Sequence, residues 1–288
     1  MLRGSVHEST SVNAHQRILF RFVTSDRRSR SAREYCAALD CRDFIKGWVT
    51  VDTDDRRISE EAVVSAKANR KEIAKRLTDP SIYLSEDSPV SVFMAGSPGA
   101  GKTEASLECL GRFGGSVLRI DPDTYRAELP GYTGSNSSLF QRAVSVLVSA
   151  VHDEALRLQQ SVLLDGTASN FDTVSLNIRR SLKRGRFVLV LYVYQNPERA
   201  WEFVQAREKV EGRNIPMQGF VDQYFAAREV VNRLKYEFGH AVTVDVFIKN
   251  HDGSTKSYRQ NIQQIDTHIP ETYDRASLER RLNSRRYE

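Results

Sequence analysis

Long hydrophobic runs are missing from this chain of 288 residues. None approaches the ~18 consecutive apolar residues that a bilayer-spanning helix needs, and the longest, Phe187 to Tyr194, has the size of a strand. An integral membrane protein is not expected. Cysteine is scarce as well: Cys36, Cys41 and Cys109 make an odd count with no second Cys or His pair at zinc-ligand spacing, so neither a disulfide framework nor a structural zinc site is expected. The six histidines are scattered, with no H-x-x-x-H pair. Charge of one sign does not dominate. Lys and Arg number 42 against 37 Asp and Glu, interspersed to a net +5, so a nucleic-acid partner is not indicated. No apolar stretch follows Arg3 within the first 16 residues, which argues against a secretory leader and for folding in the cytoplasm. No period of fixed length repeats, which excludes a solenoid. What remains, 40% hydrophobic and 27% charged, is the composition of a folded domain and not of a disordered chain.

Along the chain, residues 1–57 are Ser- and Arg-rich with short apolar pieces, among them Tyr35, Phe44, Ile45 and Trp48, and are read as an accessory region. Residues 58–250 carry the main domain. It opens with an amphipathic helix from Ser59 to Thr78 that Asp79-Pro80 ends. After Pro89, strand-like runs alternate with helical ones, from VSVFMA through SVLRI, SVLL and FVLVLYVY to VTVDVFI. That alternation predicts an α/β fold whose parallel sheet has helices on both faces, preceded by a mostly helical accessory region. Residues 251–288 are polar and are expected to form a solvated extension.

Residues 96–103 read G-x-x-x-x-G-K-T, after a strand and before a helix. Gly96, Gly99 and Gly101, with Ser97, Pro98 and Ala100 between them, let the backbone turn its N–H groups around a phosphate at the positive end of the following helix. Lys102 is expected to reach the β- and γ-phosphates of ATP, and the Thr103 hydroxyl to hold Mg²⁺. An ordinary glycine-rich turn has no use for a Lys-Thr pair at this offset. The next strand ends in Ile120-Asp-Pro-Asp-Thr-Tyr-Arg126, which sets Asp121 and Asp123 at the edge where open α/β sheets bind ligands. A small-molecule kinase needs a carboxylate there to orient the acceptor hydroxyl and take its proton. The competing reading is structural: Asp121 caps the turn before Pro122, and Asp123 caps a helix begun by Thr124.

These motifs, GSPGAGKTEAS, IDPDTYR, LLDGT at Leu163 to Thr167 and AREKVEGRNIP at Ala206 to Pro216, resemble in identity and order those of the zeta-toxin family of P-loop kinases. The resemblance implies transfer of the γ-phosphate of ATP, with Mg²⁺, to the 3′-hydroxyl of the sugar in UDP-N-acetylglucosamine or a related nucleotide sugar. It implies Asp123 as general base, Arg126 on the substrate side, Asp165 at the family's acid before Gly-Thr and Thr167 in the substrate pocket, and Asp121, the other acid of the pair, is expected on the substrate side with them. It also implies a helical antitoxin as partner. One departure stands out: the family's basic residue shortly after Gly-Thr is replaced here by Ala168-Ser169-Asn170.

Arg207 and Arg213 lie where a helical stretch gives way to a glycine-containing loop, which reads as a lid whose guanidinium groups neutralise the transferring phosphoryl group. The alternative is a solvated helix surface. His152, Trp201, Phe203, Phe220, Tyr224 and Phe225 fall in helical stretches and are read as packing residues. Two further functions stay in view: a nucleoside, NAD or polynucleotide kinase, and a non-catalytic ATP-binding module. Residues 1–57 are also a candidate restraint acting in cis on the site.

Overall fold

The computed structural model describes residues 41–112, 117–211, 215–270 and 272–284, with side chains from Asp54 onward except those of Arg112 and Glu211. The chain divides into two compact units, Met1–Asp55 and Arg56–Glu288. Of the first, the helix from Cys41 is described, with side chains at Asp54 and Asp55 alone, so Tyr35, Cys36 and the side chains of Phe44, Ile45 and Trp48 lie outside the described residues.

Helix α1 runs Cys41–Leu77, well upstream of the start that Ser59 suggested. Ser59 is therefore an interior helical residue. The helix ends where expected, before Asp79-Pro80. Within the second unit Ala62, Ala66, Ile73 and Ala74 recur at helical spacing and are buried in one apolar cluster.

Six strands form one sheet among the described residues: β1 (Val90–Ala95), β2 (Leu118–Ile120), β3 (Val162–Leu164), β4 (Phe187–Tyr194), β5 (Thr243–Lys249) and β6 (Thr255–Arg259), in the order β2-β3-β1-β4-β5-β6. The first five are parallel and β6 is antiparallel to β5. Between them lie α2 (Lys102–Arg112), the short α3 (Pro122–Tyr125), α4 (Gln141–Arg157), α5 (Phe171–Lys183), α6 (Pro197–Glu211) and α7 (Met217–Phe238), and α8 (Arg275–Ser284) follows β6.

The strands are apolar throughout because both faces of the sheet are covered. Alternate residues divide between two clusters: Phe93, Val190, Tyr192 and Val246 pack toward Ile178, Trp201, Phe220 and Val231, whereas Val92, Met94, Leu191 and Phe247 pack toward Ala105 and Cys109 of α2. Trp201, Phe220, Tyr224 and His152 are buried, and Phe203 and Phe225 partly so.

The tail after Asn250 does not behave as a solvated extension. Strand β6 pairs with β5, the buried Asp245 carboxylate accepts from the Tyr258 hydroxyl and from the Asn261 N–H (2.8 Å), and Ile262, Ile265, Leu278 and Leu282 are buried in the core. The polar composition hid a few apolar residues at the right spacing.

Candidate active site

In a parallel sheet every strand delivers its carboxyl end to the same edge, and the strand order decides which motifs meet there. Here β1 ends in the phosphate loop, β3 beside it ends in Asp165-Gly166-Thr167, and β2 beyond β3 ends in Asp121-Pro122-Asp123. The three motifs recognised in the sequence are thus neighbours in space, with Asp165 and Thr167 between the loop and the aspartate pair.

The loop is tightly seated. Gly96 has φ +135° and Gly99 φ +70°, conformations that side chains rarely adopt, and a Cβ would come within 2.4 Å of the Val193 carbonyl oxygen at Gly96 and 2.1 Å of that of Ala200 at Gly99. Both glycines are needed because the end of β4 and the start of α6 press against the loop. Ser97 and Ala100 are buried. The Lys102 ammonium donates to the carbonyls of Gly96 (3.1 Å) and Ser97 (2.7 Å), which holds it across the loop. Thr103 stands in the first turn of α2, and Thr167 is tied to the loop through the Gly96 N–H, which donates to its carbonyl (3.2 Å).

Asp121 plays the capping part that its place before Pro122 suggested: its carboxylate accepts from the Asp123 N–H (2.9 Å) at the start of α3. It also faces Arg119 at 3.2 Å. Burial pushes the Asp121 carboxyl above the ordinary range, reinforced by the neighbouring Asp123 and Asp165 and opposed by the Asp123 N–H and by Arg119. Asp123 does not cap a helix. It is 43% exposed and accepts from Arg126, whose guanidinium is buried and also donates to Gln141 Oε1 (3.1 Å). A carboxylate at the edge, fixed by a buried cation yet open to solvent, has the placement a proton acceptor for a bound hydroxyl requires.

Arg119 was not singled out from the sequence. Its guanidinium binds one Asp165 oxygen through both Nε (3.1 Å) and Nη2 while facing Asp121, so one cation joins the acids of β2 and β3. The available signal was a charged residue between Leu118 and Ile120 in a strand otherwise buried. Gln141 was missed for a different reason, since only the fold brings it to Arg126.

Of the lid pair, Arg207 is exposed on α6, and Arg213 lies outside the described residues. Ala168-Ser169-Asn170 turn the chain instead of offering a basic group: Ala168 is buried at φ +51°, and the Asn170 side chain caps α5 by accepting from the Thr173 N–H (2.9 Å).

A family profile described as Zeta toxin matches residues 73–263, well over half of the chain. The chain belongs to the zeta toxin family. A structure of the PezAT chromosomal toxin-antitoxin system of Streptococcus pneumoniae is similar over 77% of this chain and 96% of that one, with a TM-score of 0.59 at 16% identity, a likeness that establishes the shared fold. The AvrRxo1-ORF1:-ORF2 complex with ATP (TM-score 0.47, 15% identity, 76% of this chain and 74% of that one) and shikimate kinase from Acinetobacter baumannii (0.36, 18%, 57% and 86%) are more distantly similar. No curated protein sequence matches the chain significantly. This zeta toxin is accordingly a P-loop kinase-fold protein with a nucleotide-binding loop, a phosphotransferase of the kinase type.

Proposed function

We propose that this zeta toxin transfers the γ-phosphate of ATP to a sugar hydroxyl of a nucleotide sugar such as UDP-N-acetylglucosamine. The observation that carries the reading is the shared edge of β1, β3 and β2, which sets a phosphate loop, an Arg119-linked pair of acids and the half-exposed Asp123 side by side.

In this reading the loop N–H groups and Lys102 hold the β- and γ-phosphates. The Thr103 hydroxyl, a hard oxygen donor in the first turn of α2 beside the loop, suits Mg²⁺, which would neutralise phosphate charge when bound. The acceptor oxygen forms a bond to the γ-phosphorus as the bond to the bridging oxygen of ADP breaks, and the hydroxyl proton passes to the Asp123 carboxylate. Arg126 holds that carboxylate in place. Asp121, Asp165 and Thr167 line the acceptor side, and Arg207 and Arg213 close over the transferring group. A partner antitoxin is part of the proposal, supported by family membership and by the toxin-antitoxin system of the similar pneumococcal structure.

The test is to incubate the purified protein with Mg-ATP and, separately, UDP-sugars, nucleosides, NAD and oligonucleotides, and to look for a mass gain of one phosphate. A gain on a UDP-sugar alone is expected. Phosphorylation of another class would move the acceptor assignment, and none at all, with ATP bound, would leave a binding module.

A further inference from the structure

A second lysine stands beside the phosphate loop. Lys249 is the last residue of β5, two strands from β1, and its Cε lies 3.5 Å from where a Cβ on Gly101 would be. Only 7% of the residue is exposed. Its ammonium donates to one neutral group, the Thr255 hydroxyl of β6 (3.2 Å), and no carboxylate among the described residues is paired with it. Glu104 at the start of α2 comes near, its Oε2 3.6 Å from the same point over Gly101, without forming an ion pair.

Holding a largely buried lysine's ammonium against a single hydroxyl is unfavourable, since a cation partly withdrawn from water needs a charged partner or a full set of acceptors. Local construction nevertheless keeps it there. The β5-β6 register shifts between Ile248 and Lys249, the kind of irregularity that re-aims a side chain. The turn that follows is closed by the Asn250 N–H donating to the Ser254 carbonyl (2.8 Å), which holds Thr255 in reach. The other buried lysine among the described residues differs: Lys235 donates to the Val242 carbonyl (2.8 Å) just past the end of its own helix.

We propose that Lys249 is a second phosphate-binding cation of the nucleotide site, contacting a nucleoside di- or triphosphate from the side of the loop opposite Asp121 and Asp165. This rests on the reading of residues 96–103 as the nucleotide site. Its signature is a split between stability and affinity: in the free protein the charge is a burden, and in the complex it is an asset.

Titration calorimetry with MgADP and thermal unfolding without nucleotide, on the full chain, read both sides of that split. Lys249→Met keeps the buried stem and removes the charge. It is expected to raise the Kd for MgADP about tenfold or more, the worth of a lost charge-assisted hydrogen bond, while the Tm of the free protein stays level or rises. Lys249→Arg is expected to recover part of the affinity. Unchanged affinity in Lys249→Met, or a joint fall in Tm and affinity that Lys249→Arg does not relieve, overturns the inference. Lys102→Ala separates the two layers: if it weakens MgADP binding and Lys249→Met does not, the inference alone fails, whereas a native protein that binds no MgADP ends both.

Discussion

Acidification should loosen this fold through one histidine. His152 lies on α4 with no exposed surface, edge-on to Phe93 of β1 at 6.2 Å between ring centroids, and neither ring nitrogen makes a well-formed hydrogen bond among the described residues. Burial holds it neutral, aided by the positive charges of Arg180 and Arg186 and opposed more weakly by Asp153 and the Asn177 side chain, and brings its pKa down to about 3. In the unfolded chain the same group titrates near 6.5. The folded value is the lower one, so below pH 6.5 the unfolded state binds a proton that the native state refuses, and stability falls as pH falls toward 3. The slope from one such group approaches about 1.4 kcal/mol per pH unit below pH 6.5, so acidifying from pH 7 to 4.5 costs about 2.5 kcal/mol. Carboxylates titrate in the same window, and a variant is needed to isolate the histidine. His152→Leu removes the titration at the cost of some packing, a cost that does not depend on pH. Urea unfolding of both proteins at pH 7 and 4.5 should show the stability difference between them moving by about 2.5 kcal/mol in favour of the variant at the lower pH. A difference that stays constant would mean that His152 accepts a proton in the folded protein, and the reasoning from its burial would be refuted.

Three outcomes test the site. Lys102→Ala should abolish phosphoryl transfer with the far-UV circular dichroism and Tm near native, because the ammonium spans an edge loop and is not in the core; a folded variant with full activity would contradict the assignment. Asp123→Asn keeps the side chain's shape and cannot take a proton, so kcat should drop ~10² or more while MgATP still binds; if Asp121→Asn is the crippling change and Asp123→Asn is silent, the base is Asp121. Deleting residues 1–57 leaves Ala62, Ala66, Ile73 and Ala74 to hold the rest of α1 in the core, and should raise kcat/KM for the acceptor, or toxicity on expression, if those residues restrain the site; unchanged kinetics would argue against restraint, and lost activity would indicate a structural part.

The motifs were legible because each depends on local covalent order. A phosphate loop needs its glycines and its Lys-Thr pair at fixed offsets, whatever else the chain does, and the long apolar runs of β1, β4 and β5 announce strands buried on both faces. The family resemblance followed from four such segments in order. The capping part of Asp121 was also within reach, since a side chain that accepts from the N–H two residues on needs nothing beyond its own neighbourhood.

What the chain's order could not reveal depends on pairs far apart in it. Arg119 and Asp165 meet because β2 and β3 are hydrogen-bonded neighbours, Arg126 and Gln141 because α3 packs against α4, and Lys249 and Gly101 because β5 closes back beside the loop. The tail shows the same division. Its polar composition correctly describes most of its surface, yet Leu278 and Leu282 are buried because α8 packs against α7, a surface that exists only once the sheet and its helices have assembled. Local backbone and turn chemistry act over a few residues and are written in the sequence, whereas charge pairing and burial are set by which distant surfaces the fold brings together.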